Sequence, residues 1–351
     1  MSVKQNQKTG KWYFSCRYTD WQGNRRQKKQ EGFSLAREAK AAEQEFLASV
    51  SQQCDISFKA MYEKYIADSA TRRRPSTMEN KTNNFQKAIL PYFGELLLTE
   101  ITPAHVRSWQ NEIITKYAPT SQRQLHAQLS ALFNFAIKFY GLKNNPAAIA
   151  GAIGTTKADC AQIWTLEEFQ QAMRYVWDYA TRTAYYVFFF GGLRSGELLA
   201  LTLADWNSAE RTLNITKSLT RIKKVNYIDD PKNKQSIRKI KLPAGAAAML
   251  DKYITSLYQP DSETPIFPTL NKGNLIDRLK SAAKRAGVKR IRVHDLRHSH
   301  ASLLIDLDVN PLAISRRLGH ENIQTTFNIY GHLYKNHAEK VAQKLDDIFP
   351  R

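Results

Sequence analysis

No run of apolar residues in this 351-residue chain approaches the roughly 18–20 needed to cross a bilayer. The longest, Tyr185 to Phe190, is a short aromatic patch. Residues 1–12 are polar and basic and have no apolar centre of the kind a secretory signal carries, so no membrane association is expected. Cysteine is scarce. Cys16, Cys54 and Cys160 are odd in number and far apart, which argues against a disulfide framework and fits free thiols in a reducing cytoplasm. CxxC and HExxH spacings are absent, so no zinc site is indicated. A GxxxxGK[ST] loop is absent too, and neither ATP nor GTP use is indicated; no cofactor is expected. Acidic residues are the minority charge, 32 against 52 Lys and Arg, for a net charge of +20. Such an excess predicts a polyanionic partner, with nucleic acid first. It is spread along the chain, which predicts several nucleic-acid-facing surfaces.

What is present suggests two or three domains. Hydrophobic residues make up 42% and aromatics 11%, enough for real cores. Residues 1–50 read as a small strand-rich unit. Trp12 to Tyr18 is aromatic and β-prone, a turn follows, and Asn24 to Lys29 forms a basic strand. Ser34 then caps a helix with Leu35, Ala39, Ala42 and Phe46 on one side. Lysine and arginine on an edge strand often serve only to blunt it. Beside Trp12 and Tyr13 in so basic a chain, Lys11, Arg25, Arg26 and Lys28 are candidate DNA contacts.

From Ile56 to Tyr140 the pattern is helical. Ser76 to Glu79 reads as a capping box, Thr102-Pro103 as a cap with proline at the first helical position, and Thr120 or Ser121 as the start of a fourth helix. Leu125, Leu129, Leu132 and Ala136 form that helix's stripe and Gly141 ends it. Arg72, Arg73 and Arg74 precede the second helix as an exposed, phosphate-competent loop. Ala147 to Cys160 is small and Gly/Ala-rich, as a linker is. A new unit opens on the capping box Thr165 to Glu168, turns β-like between Leu213 and Leu242, and is helical from Lys272 to Phe349. Ala338, Val341, Leu345, Ile348 and Phe349 give the tail an apolar stripe.

Five short stretches carry chemistry. Arg194 lies in Gly191-Gly192-Leu193-Arg194-Ser195-Gly196-Glu197, whose glycines let a phosphate approach the backbone; the plainer alternative pairs Arg194 with Glu197 or Asp205. Lys232, on an expected hairpin tip, is a candidate proton donor to a leaving oxygen. Lys234, two residues on, projects the same way, so both lysines stand as candidates. His294 and Arg297 share a helix face and suit a phosphate, with His298 loosely alongside. His320 follows Leu318-Gly319, and Tyr330 comes ten positions later, with Tyr334 competing on geometry. A free phenol is a poor nucleophile, and nearby arginines and lysines are expected to favour its phenolate. Each signal alone has a plain structural explanation; the order and company of the six make the set specific.

On these motifs the chain resembles the tyrosine recombinase (phage integrase) family, of the conjugative-transposon and phage type with an N-terminal arm-binding domain. The resemblance covers almost the whole chain. It implies a multidomain α+β fold: a small three-stranded sheet plus helix over 1–52 for arm-site DNA, a helical core-binding bundle over 53–148, a linker over 149–163, and a mainly helical catalytic domain with a small β-sheet and a C-terminal tail over 164–351. It implies that Arg194, His294, Arg297 and His320 surround the scissile phosphate, that Lys232 protonates the leaving 5′-oxygen, that His294 assists proton movement at the tyrosine, and that Tyr330 forms a 3′-phosphotyrosyl bond. It implies double-stranded DNA at core and arm sites as partner, a homo-tetramer on DNA, a tail that docks on a neighbouring protomer, and room for an excisionase and a host DNA-bending protein. The product would be integration and excision of a mobile element. A type IB topoisomerase shares the chemistry but needs no second class of site. A non-catalytic DNA-binding protein would not need the full set of groups, and a metal-dependent nuclease would carry an acidic cluster.

Overall fold

The computed structural model describes residues 3–7, 9–19, 25–50, 56–156, 162–223, 225–229, 234–330 and 345–346. Contacts divide the chain into two units, residues 1–158 and 159–351. Lys232, Tyr334 and all of the tail stripe except Leu345 lie outside the described residues.

The first unit begins with an antiparallel sheet of order β1 (Val3–Gln5), β2 (Trp12–Thr19), β3 (Arg25–Phe33), followed by helix α1 (Ala36–Val50). Side chains alternate across a strand, and directly paired residues share a face. Phe14 and Cys16 are buried, and Lys28, paired with Cys16, lies over the Phe46 ring of α1. Arg26, paired with Tyr18, shares that helix-covered face. The opposite face carries Tyr13, Arg17, Arg25 and Lys29, with Lys29 over the Tyr13 ring. Of the basic residues picked from sequence, only Arg25 therefore belongs to the open face; Arg17 and Lys29 join it, while Lys11 precedes β2 and is exposed. The start of α1 is held not by Ser34 as a cap but by Glu38, whose carboxylate accepts from the Ser34 and Leu35 N–H groups. Leu35 is exposed, and Ala39 is the residue that packs fully inward.

Helices α2 (Phe58–Ala70), α3 (Pro75–Asn84), α4 (Leu90–Phe93), α5 (Pro103–Lys116), α6 (Pro119–Tyr140) and α7 (Pro146–Ala150) form the bundle, with a π-type segment Phe85–Ile89 joining α3 to α4. Phe58, Phe93, Trp109 and Phe133 fill its centre, with Leu125, Leu129, Leu132 and Ala136 of α6 against them. The Thr102 cap is present: its hydroxyl accepts from His105 N–H. Two other helix starts move. Proline fixes the helical φ, so α3 begins at Pro75, ahead of the expected box, and α6 at Pro119. Gly141 ends α6 in the left-handed conformation. Arg72, Arg73 and Arg74 are exposed, and Arg72 pairs with Asp68 at 3.0 Å. The Gly/Ala-rich stretch is not loose at its start. Ala147 and Ala150 are buried, and Arg107 and Gln110 donate to the Ala150 and Gly151 carbonyls.

The second unit packs helices α8 (Leu166–Met173), α9 (Tyr179–Gly191), α10 (Ser195–Ala200), α11 (Ala244–Ile254), α12 (Lys272–Ala286), α13 (Asp295–Asp306), α14 (Pro311–Leu318) and α15 (Ile323–Tyr330) around small sheets. β4 (Trp206–Asn207), β5 (Thr212–Ile215) and β8 (Arg238–Lys241) form one sheet; β6 (Ser218–Ile222) and β7 (Val225–Asp229) form a hairpin. In β8, Ile240 is buried between exposed Lys239 and Lys241, the alternation read from sequence. β7 ends at Asp229 and pairs with β6, whereas β8 pairs with β5; the expected hairpin tip at Lys232 falls outside the described residues. The reciprocal Thr165–Glu168 capping bonds are present and open α8.

Trp164, 1% exposed, ties the entry of this unit to α13. Its backbone N–H donates to Ser299 Oγ at 2.9 Å and its indole N–H to the Lys289 carbonyl at 2.7 Å. Trp164→Ala should cost about 3–5 kcal/mol, as large core truncations do. Hydrogen exchange in urea should show the loss in second-unit amides, with the α2–α6 amides unchanged.

Candidate active site

Two glycine turns build the site. Gly192 ends α9 at φ +63°, and a Cβ there would come within 2.5 Å of His300 Cδ2. Gly319 ends α14 at φ +66°, and a Cβ there would crowd Arg238 at 3.1 Å. Only glycine adopts such a turn without strain and permits that approach. The first turn delivers Arg194 and the second delivers His320.

Arg297, 2% exposed, spans both turns. Its Nη1 donates to the Gly192 carbonyl at 2.8 Å and its Nη2 to the Leu318 carbonyl at 2.6 Å. Arg194 reaches the same second turn, with Nη2 donating to the Gly319 carbonyl at 3.3 Å. The two guanidiniums picked from sequence thus converge on one turn. Burial, then the charge of Arg194, lowers the Arg297 pKa to about 9.

Arg194 also makes the plainer pair. Its Nη1 donates to Glu197 Oε1 and its backbone N–H to Glu197 Oε2, both at 2.8 Å. Glu197 is shared, because Arg238 Nη2 donates to Oε2 at 2.8 Å and Nη1 to Oε1 at 3.1 Å. Arg238 is itself fixed by donating from Nε to the Arg317 carbonyl at 2.7 Å. Arg317 in turn donates to His300 Nε2 and to the carbonyls of Phe190 and Lys241. Burial alone would raise the Glu197 carboxyl, but the bonds and charge of Arg238, then of Arg194, hold it at about 2. With Arg238 taking up much of that carboxylate, Arg194 keeps charge to offer. Its side chain is 38% exposed and lines a cleft of about 520 Å³ with Ser195, Gly196, Ser218, Arg221 and His294. Cationic groups crowded beside an open cleft suit an incoming anion.

The histidines stand around this cluster. His294 is the N-cap of α13 and lines the cleft. Burial, then the charges of His298 and Arg297, lower its pKa. His320 meets Thr326 Oγ1 through Nδ1 at 2.8 Å, and burial, then Arg297 and Arg194, push it down to about 3. Both are therefore neutral imidazoles at neutral pH. The Tyr330 hydroxyl lies 2.7 Å from Nδ1 of His298, not of His294. His298 sits one helical turn inside α13, whereas His294 is at its mouth. Tyr330 is 2% exposed and packs among Ala301, Ile305, Ile314 and Leu318. Arg297 favours the Tyr330 phenolate as expected, but burial outweighs that charge and raises the pKa to about 12. The backbone of Lys234 opens a short 3-10 turn, Lys234–Ser236, which leads into Arg238.

Sequence reading missed Arg238, Arg317 and a role for His298. An arginine between a polar loop and a short strand has no motif of its own. His298 was visible only as a histidine loosely sharing the face of His294 and Arg297.

Three stretches match known families: residues 164–337 the phage integrase family, residues 57–114 the phage integrase N-terminal SAM-like domain, and residues 2–50 an arm DNA-binding domain. The ICEBs1 integrase of Bacillus subtilis (strain 168) is 28% identical over 84% of this chain and 83% of its own length. The integrase of Staphylococcus phage L54a is 25% identical over 78% and 87%. The Tn1549 transposon integrase, solved in complex with circular intermediate DNA, superposes with a TM-score of 0.69 at 20% identity, covering 83% of this chain and all of that one. A lambda integrase dimer bound to a COC' core site gives 0.64 at 18% identity, covering 93% and 94%. Fold and family define the class as a tyrosine-type site-specific recombinase, an enzyme of mobile-element DNA integration. The chain belongs to the phage integrase family.

The Glu197 trio carries a pH prediction. A depressed folded pKa stabilises above the ordinary carboxylate pKa of about 4.3, and that stability is lost as pH falls through the folded value. For Glu197 the window runs from there down to about 2. Arg238→Met should cost about 3–5 kcal/mol at neutral pH by leaving a buried carboxylate half-paired. It should also raise the pH of acid unfolding, and adding Glu197→Gln should recover part of both losses. Near-UV circular dichroism across an acid titration measures all three.

Proposed function

We propose that Tyr330 cleaves DNA by attacking a phosphate held by Arg194, Arg297, His294 and His320, leaving a 3′-phosphotyrosyl bond and a free 5′-hydroxyl. The observation that carries this reading is the Tyr330 hydroxyl, enclosed beside α13 within electrostatic reach of Arg297. The guanidiniums offset the charge that builds on the pentacoordinate phosphorus, and the neutral imidazoles donate hydrogen bonds to its oxygens. Lys232 or Lys234 gives the leaving 5′-oxygen its proton. The phosphotyrosyl bond conserves the energy of the broken linkage, so a 5′-hydroxyl from a partner strand reverses the step and completes recombination. Because Tyr330 is enclosed, the α14–α15 side must open as DNA engages, which ties cleavage to assembly.

The same reading takes residues 53–148 and 164–351 as the two halves of a clamp on core-site duplex, with 149–163 between them, and residues 1–52 as an arm-site reader. The open sheet face of Tyr13, Arg17, Arg25 and Lys29 supports the last assignment. Arg72, Arg73 and Arg74 would contact core-site phosphates. The lambda integrase has been solved as a tetramer bound to a Holliday junction. We take a tetramer on DNA as the working assembly here, with the C-terminal tail docked on a neighbouring protomer. Excision alongside integration, an excisionase, a host DNA-bending protein and a cytoplasmic, nucleoid-associated site of action complete the reading.

The test starts from randomised duplex DNA. Members trapped covalently by the full chain are recovered, sequenced and remade as nicked duplexes. Wild type should form an adduct that maps to Tyr330, while Tyr330→Phe should bind the same duplexes and form none; equal adduct from both would remove Tyr330 from its role. A duplex with sulfur in place of the leaving 5′-oxygen needs no acid. It should restore cleavage to whichever of Lys232→Ala and Lys234→Ala is slow on the ordinary substrate.

A further inference from the structure

We infer that His298 is the group that takes the Tyr330 proton as the phenol attacks, and gives it back when the strand is rejoined. This rests on Tyr330 being the nucleophile. The hydroxyl and Nδ1 are 2.7 Å apart, with ring centroids 5.6 Å apart at 54°, so the phenol can donate along a short in-reach path. His294 stands edge-on behind, its ring centroid 5.1 Å from that of His298 at 86°. Tyr330 lies within electrostatic reach of Arg297 while its hydroxyl meets His298, so a phosphate drawn to Arg297 comes close to the oxygen that His298 holds.

The step balances. The phenol O–H bond breaks and its proton moves to Nδ1. The oxygen pair forms the new O–P bond, and the P–O5′ bond breaks. Its electrons stay on the 5′-oxygen, which is protonated by the lysine. His298 is left as imidazolium, hydrogen-bonded to the tyrosyl ester oxygen, and returns the proton when a 5′-hydroxyl displaces that ester.

The groups around His298 favour this. Asp295, Arg292 and Arg297 act on it from α13 and the turn before, His294 from the helix mouth, His320 from beyond α14, and Tyr330 from α15. Burial outweighs the opposing Asp295 charge and, with Arg297 and Arg292, lowers its pKa below the ordinary range. The free ring is thus ready to accept at neutral pH. An arriving phosphate adds negative charge and strengthens it as a base.

Single-turnover adduct formation on the captured nicked duplex tests the assignment with His298→Asn. The asparagine amide oxygen can occupy the place of Nδ1 and accept the phenol's hydrogen bond, but it takes no proton. The variant should bind DNA as wild type does and form adduct about 100-fold more slowly, the usual weight of general-base catalysis. The wild-type rate should fall on acidification, through a midpoint below the ordinary imidazole value of about 6.5, and the variant should lack that limb. Asparagine cleaving at the wild-type rate with the wild-type profile overturns the inference. So does rescue of the variant by the 5′-sulfur duplex, which would put His298 at the leaving group. Should the variant fail to bind DNA, the wild-type profile decides alone, and a flat rate on acidification rejects the assignment. Absence of any Tyr330 adduct from wild type would instead sink the recombinase chemistry on which this rests.

Discussion

Among the described residues Arg297 is anchored by two backbone carbonyls and by no carboxylate, and the rest of the site follows from that. A carboxylate would hold a guanidinium just as firmly and would also neutralise it. Carbonyls fix the fork while leaving its full charge for a phosphate. The carbonyls belong to Gly192 and Leu318, at the ends of α9 and α14, so the arginine joins the two turns that deliver Arg194 and His320. Burying a charge this way is costly without a counter-ion. The site therefore gains most when an anion arrives.

Arg194 solves the same problem by another route. It does pair with a carboxylate, but Glu197 is divided between Arg194 and Arg238. The second arginine weakens the first one's bond to its own partner without releasing its geometry. Arg317 sits behind, fixing Arg238 through its carbonyl and His300 through its guanidinium. Burial, and after it the excess positive charge, suppresses protonation of His294, His298 and His320. Neutral His294, His298 and His320 can each donate or accept a hydrogen bond.

Much of this was legible in the sequence because glycine and charge leave marks. Gly192 and Gly319 announced turns where backbone approaches closely, and Arg194, Arg297, His320 and Tyr330 are brought into one neighbourhood. The alternation in β8 and the α6 stripe were readable from period alone. Arg238 was not, because its meaning depends on a carboxylate 41 positions earlier and a carbonyl 79 positions later. The ionisation of Tyr330 was only half legible for a related reason. Sequence shows the arginines that favour a phenolate but not the burial that opposes it. Proline moved two helix starts, since it fixes φ ahead of any side-chain cap. On the N-terminal sheet the basic residues were visible, yet only strand pairing sorts Arg25 from Arg26 and Lys28.

That sorting bears on how the N-terminal sheet could read DNA. On the open face, Tyr13, Arg17, Arg25 and Lys29 alternate with residues turned to α1, and Lys29 is paired with Glu31 and braced over the Tyr13 ring. An aromatic beneath an ammonium limits the lysine's freedom, so less entropy is lost when it meets a phosphate. Arg26 and Lys28, on the other side, reach water past the helix; their charge adds to the long-range field without sharing the open face. A sheet built this way separates attraction from contact. The first depends on total charge and falls with salt. The second depends on which residues share a face, and a one-residue slip in the pairing of β2 and β3 would exchange the two sets.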